Sequence, residues 1–216
     1  MIRLIPLVII ISLSGNRKCF AQTSTLQKTT EKIVSLYFRS NPFERDFSRF
    51  LNHLMNDPAL LNKTEFKRTD TSLFYVSGEY KHHRPFFFIS NRTKVVLAES
   101  EMMINDSLQL TDTLFTYQLA GYIKTSENGE KDVLKEFEKF HRRYGSRFKN
   151  NNYTELKKRE QVYGAVREYY DQLHALSPLS IAWQRIDDPD ECVFVITVRF
   201  KIIGNMAYIP SYISID

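Results

Sequence analysis

Arg142, Arg143 and Arg147 fall in one short run, KEFEKFHRRYGSRFK, over residues 135–149. Lys139 and Lys149 join them, and no acid follows Glu138 within the run. Arginine grips carboxylate or phosphate through two parallel N–H donors. A cluster of this kind suits an acidic partner or an anionic headgroup. Phe137, Phe140, Tyr144 and Phe148 recur at spacings of three and four, so the same run carries an apolar stripe. The stripe predicts a helix with its aromatic face on the core. Its cations then face outward near a C-terminus, where the helix dipole favours them. These three arginines are the candidate binding residues.

Other residue types offer less. Glu99 and Glu101 lie two apart on a predicted strand and so share a face. Acid–base hydrolysis needs one carboxyl protonated and its neighbour ionised. This pair is therefore the one to serve a small envelope hydrolase acting on glycan or peptide. His82-His83 sits before Arg84-Pro85; adjacent residues on an extended segment point to opposite faces, so the pair reads as a turn and not a metal site. His53, His141 and His174 fall singly on predicted helices. Asp187, Asp188, Asp190 and Glu191 gather four carboxylates, but Pro189 makes the segment a turn without the EF-hand spacing. The chain has no HExxH, GxSxG, P-loop, GxGxxG or CxxC. No catalytic residue, metal site or cofactor is assigned, and a non-catalytic binding or interaction protein is expected ahead of an enzyme.

The N-terminus sets the compartment. Arg3 precedes an apolar run over residues 4–13, and Cys19-Phe20-Ala21 places small residues three and one before a cut at Gln22. That is a secretory signal layout, and the run is too short for a membrane span, which takes about 20 residues. The Ala-Gln junction resembles signal peptides of Bacteroidetes-type Gram-negative bacteria, which implies export to the periplasm or cell surface. Charged residues directly before Cys19 argue against lipidation. Removing residues 1–21 leaves 27 bases against 25 acids, a charge of +2 in place of +5. Net charge then gives no reason to expect nucleic acid. Cys192 alone remains, and its alternation with Phe194, Ile196, Val198 and Phe200 marks it as a buried small hydrophobe.

The elements follow from periodicity. Leu26, Thr30, Ile33, Val34, Tyr37 and Phe38 predict one helix. Phe43, Phe47, Phe50, Leu51 and Leu54 predict a second, ending before Asn56-Asp57-Pro58. Residues 59–70 read as a loop. Strands are expected over 73–80, 86–89, 94–103 and 108–124, with a turn at Asn105-Asp106. A second helix pair follows, lined first by Val133 to Phe148 and then by Leu156, Val162, Tyr163, Val166, Tyr169, Tyr170, Leu173 and Leu176. Strands over 181–186, 192–203 and 206–215 close the chain. The expectation is an α+β protein with antiparallel sheet and two helix pairs, a loosely duplicated ααβββ unit. Its halves would be 22–124 and 125–216, or a single domain over 22–216.

Overall fold

The computed structural model describes residues 26–69, 73–105, 110–125, 128–170, 177–187 and 190–210. The predicted signal segment, Asp106, His174, Asp188, Pro189 and the last five residues of the predicted final strand lie outside them. Helix α1 covers 26–37 and α2 covers Phe47–Met55. Four strands follow: β1 Leu60–Phe66, β2 Tyr75–Tyr80, β3 Arg92–Asn105 and β4 Leu110–Lys124. Helix α3, Gly129–Tyr144, continues into a 3₁₀ turn at Gly145–Arg147. Strands β5 Asn150–Lys158, β6 Gln161–Tyr170, β7 Leu179–Ile186, β8 Glu191–Ile203 and β9 Met206–Tyr208 complete the order.

The strands form one antiparallel sheet in the order β1-β2-β3-β4-β8-β7-β6-β5, with β9 on the end of β8. Both halves of the chain contribute a four-strand meander, and β4 against β8 joins them. All three helices pack on one face. Phe38 and Phe50 meet Tyr117, Phe47 meets Phe115, and Phe140 meets Phe194. Register pairs put Leu97, Tyr117, Val198 and Leu179 in one row of that face, and all four are fully buried.

Local chemistry accounts for the helices. The Asp46 carboxylate accepts the Arg49 N–H at 2.9 Å and caps α2, a contact worth about 1 kcal/mol. Val133, Phe137, Phe140 and Tyr144 form the buried stripe of α3. Acids occupy its first turn and His141, Arg142 and Arg143 its last, matching the dipole.

The sequence reading needs three corrections. Residues 156–170 are strand, not the fourth helix. Val162, Tyr163, Val166 and Tyr169 are β-formers, and Gly164 sits where a helix would lose about 1 kcal/mol. The β5–β6 turn is Arg159-Glu160, at φ 49° and 68°, and lacks the Asn-Gly signature of such turns. Residues 60–66 form β1 and not a loop. This edge strand is exposed on both faces after Leu60, so no alternation marks it. Residues 86–89 join no ladder. They run as a strap over the helix-side face, with Phe86 and Phe88 buried and Phe87 and Ile89 outward.

Gly121 makes the strap possible. A Cβ there would lie 2.4 Å from the Phe86 ring and 3.2 Å from Phe88. Phe86 is also stacked on Phe88 at 5.3 Å and edge-on to Phe194 at 5.4 Å, so it has little room to retreat. Gly121→Ala should therefore destabilise the fold by about 1–3 kcal/mol through overpacking. Urea unfolding checks this; an unchanged or raised midpoint would mean that the strap yields freely.

Candidate functional site

The sheet face opposite the described helices is closely packed, with Ser77, Thr197, Ser180 and Ala120 buried and Val96, Gln118, Val195 and Val166 half-buried. Side chains alternate across a strand, so each strand sends every second residue there. Register places Ser77, Val96, Gln118, Thr197 and Ser180 in one row across β2, β3, β4, β8 and β7. The neighbouring row runs Glu79, Lys94, Ala120, Val195, Ala182 and Val166. Apart from Glu79 and Lys94 at the β2–β3 end, these side chains are neutral and short, save Gln118, whose amide donates to the Thr197 hydroxyl at 3.2 Å. None of the described helices lies over them.

Charges flank this stretch: Lys94 and Glu79 beside Ala120, Glu168 opposite Ser180, and Arg199. Arg199 stands opposite Thr116, beside the long row, and its guanidinium donates to the Ser177 carbonyl at 2.9 Å. Burial lowers its pKa, and the Glu168 charge works against that shift. Sequence reading missed Arg199 because it sits singly in an apolar strand; its out-of-phase position in CVFVITVRF was the available signal.

Arg142, Arg143 and Arg147 lie elsewhere, exposed at the C-terminal end of α3 and its 3₁₀ turn, in the helix layer. The structure does not bring them to that sheet face. Arg143 lies 5.5 Å from the ring centroid of Tyr144.

Glu99 and Glu101 do share a cation. Arg68 meets Glu99 at 2.5 Å and Glu101 at 3.6 Å, and Glu99 also accepts the Phe74 N–H at 3.0 Å. Glu99 is thus committed to an ion pair and a backbone hydrogen bond, and the two carboxylates face a protein cation in place of a substrate. In the acidic turn, Lys158 takes Asp187 at 3.4 Å and Arg92 takes Glu191 at 2.6 Å. Among the described residues no three His, Cys, Asp or Glu side chains are gathered around a metal position. His53 accepts or donates at 2.9 Å to Ser40, a pairing across the α1–α2 loop that sequence spacing did not suggest. Asp57, the nearby acid, is bonded to Arg39 at 2.9 Å, so a Ser-His-Asp relay is not assembled. Cys192 is fully buried, and burial raises its pKa, which leaves an unreactive thiol. Comparison with family models, curated proteins and solved structures gives no match for this chain.

Glu136 was read only as part of a helix, yet it is the most buried carboxylate described, at 1% exposure. One oxygen accepts the Phe87 N–H at 3.0 Å and the other has no hydrogen bond. Burial pushes its pKa up, against the Phe87 N–H, Lys139, Tyr37 and Arg143, which pull it down. Such a group binds its proton more tightly folded than unfolded. Its stabilising contribution is full below the ordinary carboxylate range, about 4.3, and is lost as pH rises through the folded value. Glu136→Gln keeps an acceptor for Phe87 without a charge. The variant should gain stability relative to the parent between about pH 4 and about pH 7. Urea unfolding at both values decides it: a difference that is flat or shrinks with pH removes the buried-charge account.

Proposed function

We propose that this is an exported, non-catalytic binding protein of the bacterial envelope, which takes an acidic protein partner on the sheet face away from its described helices, where Val96 and Gln118 are partly exposed. The observation that carries the reading is the row Ser77, Val96, Gln118, Thr197 and Ser180 with Arg199 beside it. Short side chains lose little rotamer freedom when covered. Gln118 and Thr197 already bond each other, so covering them strands few polar groups. Arg199, beside the long row, is a point at which a carboxylate is preferred over a neutral group.

The signal layout of residues 1–21 supports export to the periplasm or surface of a Gram-negative cell. No described helix is long and apolar enough to cross a membrane. Arg142, Arg143 and Arg147, on the other side of the molecule, form a basic rim that would draw an acidic partner in at long range. The alternative, an envelope hydrolase acting on glycan or peptide, would rest on Glu99 and Glu101, and Arg68 occupies both.

The test is affinity capture of the tagged mature protein from cross-linked native envelopes, with partners quantified by mass spectrometry. A stoichiometric, salt-sensitive partner is expected. Val96→Glu and Arg199→Gln should each reduce its recovery, with the fold checked by circular dichroism. Alanine at Arg142, Arg143 and Arg147 together should weaken capture and flatten its salt dependence. Undiminished recovery with both sheet-face variants would exclude this face as the docking surface.

A further inference from the structure

The chain forms a cleft of about 260 Å³ at the end of β2 and β3, where the strap begins and returns. Its lining includes Asn62, Glu79, Lys81, His82, Arg84 and Arg92. At about 30 Å³ per water, the space equals roughly eight waters, enough for an oxyanion with a small attached group. Glu191, outside the lining, pairs with Arg92, so three permanent cations face two carboxylates, of which Glu79 lines the cleft. That carboxylate is already engaged, because Arg92 contacts Glu79 at 3.5 Å. Lys81 and Arg84 make no ion pair among the described residues.

The cations stand on fixed backbone. Arg92 is held by Glu191 at 2.6 Å and by the Tyr122 ring at 4.1 Å. The Lys81 N–H donates to the Ala59 carbonyl at 2.8 Å. The Thr93 hydroxyl donates to the His83 carbonyl at 2.8 Å and closes the base of the strap. His83 in turn donates through Nε2 to the Tyr37 carbonyl at 2.7 Å; burial lowers its pKa, so it adds no charge at neutral pH. Two lining residues occupy the left-handed region: Asn62 at φ 51°, where β1 bulges, and His82 at φ 64°. Strained backbone and bulges collect where a fold re-aims side chains toward a site.

A second hollow sharpens the contrast. It is larger, about 620 Å³, beside the first turn of α3. Its Lys158 and Arg185 are balanced by Glu130 and Asp187, so it has no preference for one sign of charge. Of these two, the smaller cleft carries the excess of positive charge.

We infer that the cleft between β1 and the strap binds a small ligand through an oxyanion, phosphate or carboxylate, gripped by Lys81 and Arg84 with Arg92 as a fixed third charge. Arginine supplies a planar fork and lysine a movable point charge, a pairing that suits either anion. The site is separate from the sheet-face reading and stands or falls without it.

The experiment is a titration of the ¹⁵N-labelled protein with inorganic phosphate and, separately, with succinate, at constant ionic strength held by chloride. Saturable amide shifts are expected at residues 81–84 and 91–93. Lys81→Ala with Arg84→Ala should weaken that binding at least about tenfold, the scale of one lost charge-assisted hydrogen bond. Lys158→Ala with Arg185→Ala, in the larger hollow, should leave it unchanged. Saturation by phosphate alone identifies a phosphoryl ligand, and by succinate alone a carboxylate one. The site is overturned if neither probe saturates, if shifts rise linearly at exposed cations across the surface, or if the Lys81 and Arg84 variant binds as the parent does.

Discussion

The pairing of β4 with β8 is the contact on which the rest of the molecule depends. Ten register pairs run from Phe115 opposite Phe200 to Lys124 opposite Glu191, and they alone join the two meanders into one sheet. Neither meander has a second route to the other, since β1 and β5 lie at opposite edges. The helices then settle over this seam. Phe47 covers Phe115 and Phe200, Phe38 and Phe50 cover Tyr117, and Phe140 reaches Phe194. Because a strand alternates, committing these aromatic residues to the helices commits Thr116, Gln118, Val195, Thr197 and Arg199 to the opposite side. A register slip of one residue would exchange the two faces, so the seam fixes both the core and the candidate docking surface.

The strand order reads the same from either edge, four strands in and four strands back. A doubled helix-plus-four-strand unit would give this order, in place of the ααβββ unit suggested by sequence. The halves differ in what precedes them, with α1 and α2 before the first meander and α3 before the second. They also differ at their edges. β1 is broken by the bulge at Asn62, and Lys63 turns back to the Met55 carbonyl. Bulges and lysines are standard means of blunting an exposed edge. β5 has its irregularity near the turn end, between Leu156 and Lys157, and is otherwise regular.

What could be read from the sequence was whatever had a strong period. The stripes at Ile33, Val34 and Tyr37 and at Phe137, Phe140 and Tyr144 gave α1 and α3, and the alternation from Phe115 to Ile123 and from Cys192 to Phe200 gave the seam strands. The missed strands lack that signal for physical reasons. β1 and β5 are edges with water on both faces, so nothing selects apolar residues at alternate positions. β6 carries Arg167 toward the helices, where it lies over Tyr153 and Phe137, and a charge at a core-facing position breaks the period. The candidate surface was only partly legible. Its neutral central row spans five strands, and no single stretch of chain displays it. Arg142, Arg143 and Arg147 were conspicuous because they are close in sequence; Lys81, Arg84 and Arg92 meet only when the strap folds back.

The strap between β2 and β3 explains why buried polar groups are tolerated in the helix layer. It leaves the sheet after Tyr80 and rejoins at Arg92, so its backbone has no ladder to bond to. An unpaired buried N–H costs about as much as a lost hydrogen bond. Glu136 meets this need from α3 by accepting from Phe87, while Phe86 and Phe88 fill the space that Gly121 leaves open. From α1, the Tyr37 carbonyl ties down the strap by its side chain, accepting from the His83 ring Nε2. The cleft at the base of the strap is therefore shaped by both helices, although no helix residue lines it. A disturbance between α1 and α3 would reach Lys81 and Arg84 through these two hydrogen bonds. The strap thus ties the helix layer to the cleft, while Glu79 and Arg92 of the cleft stand on the opposite face of the sheet.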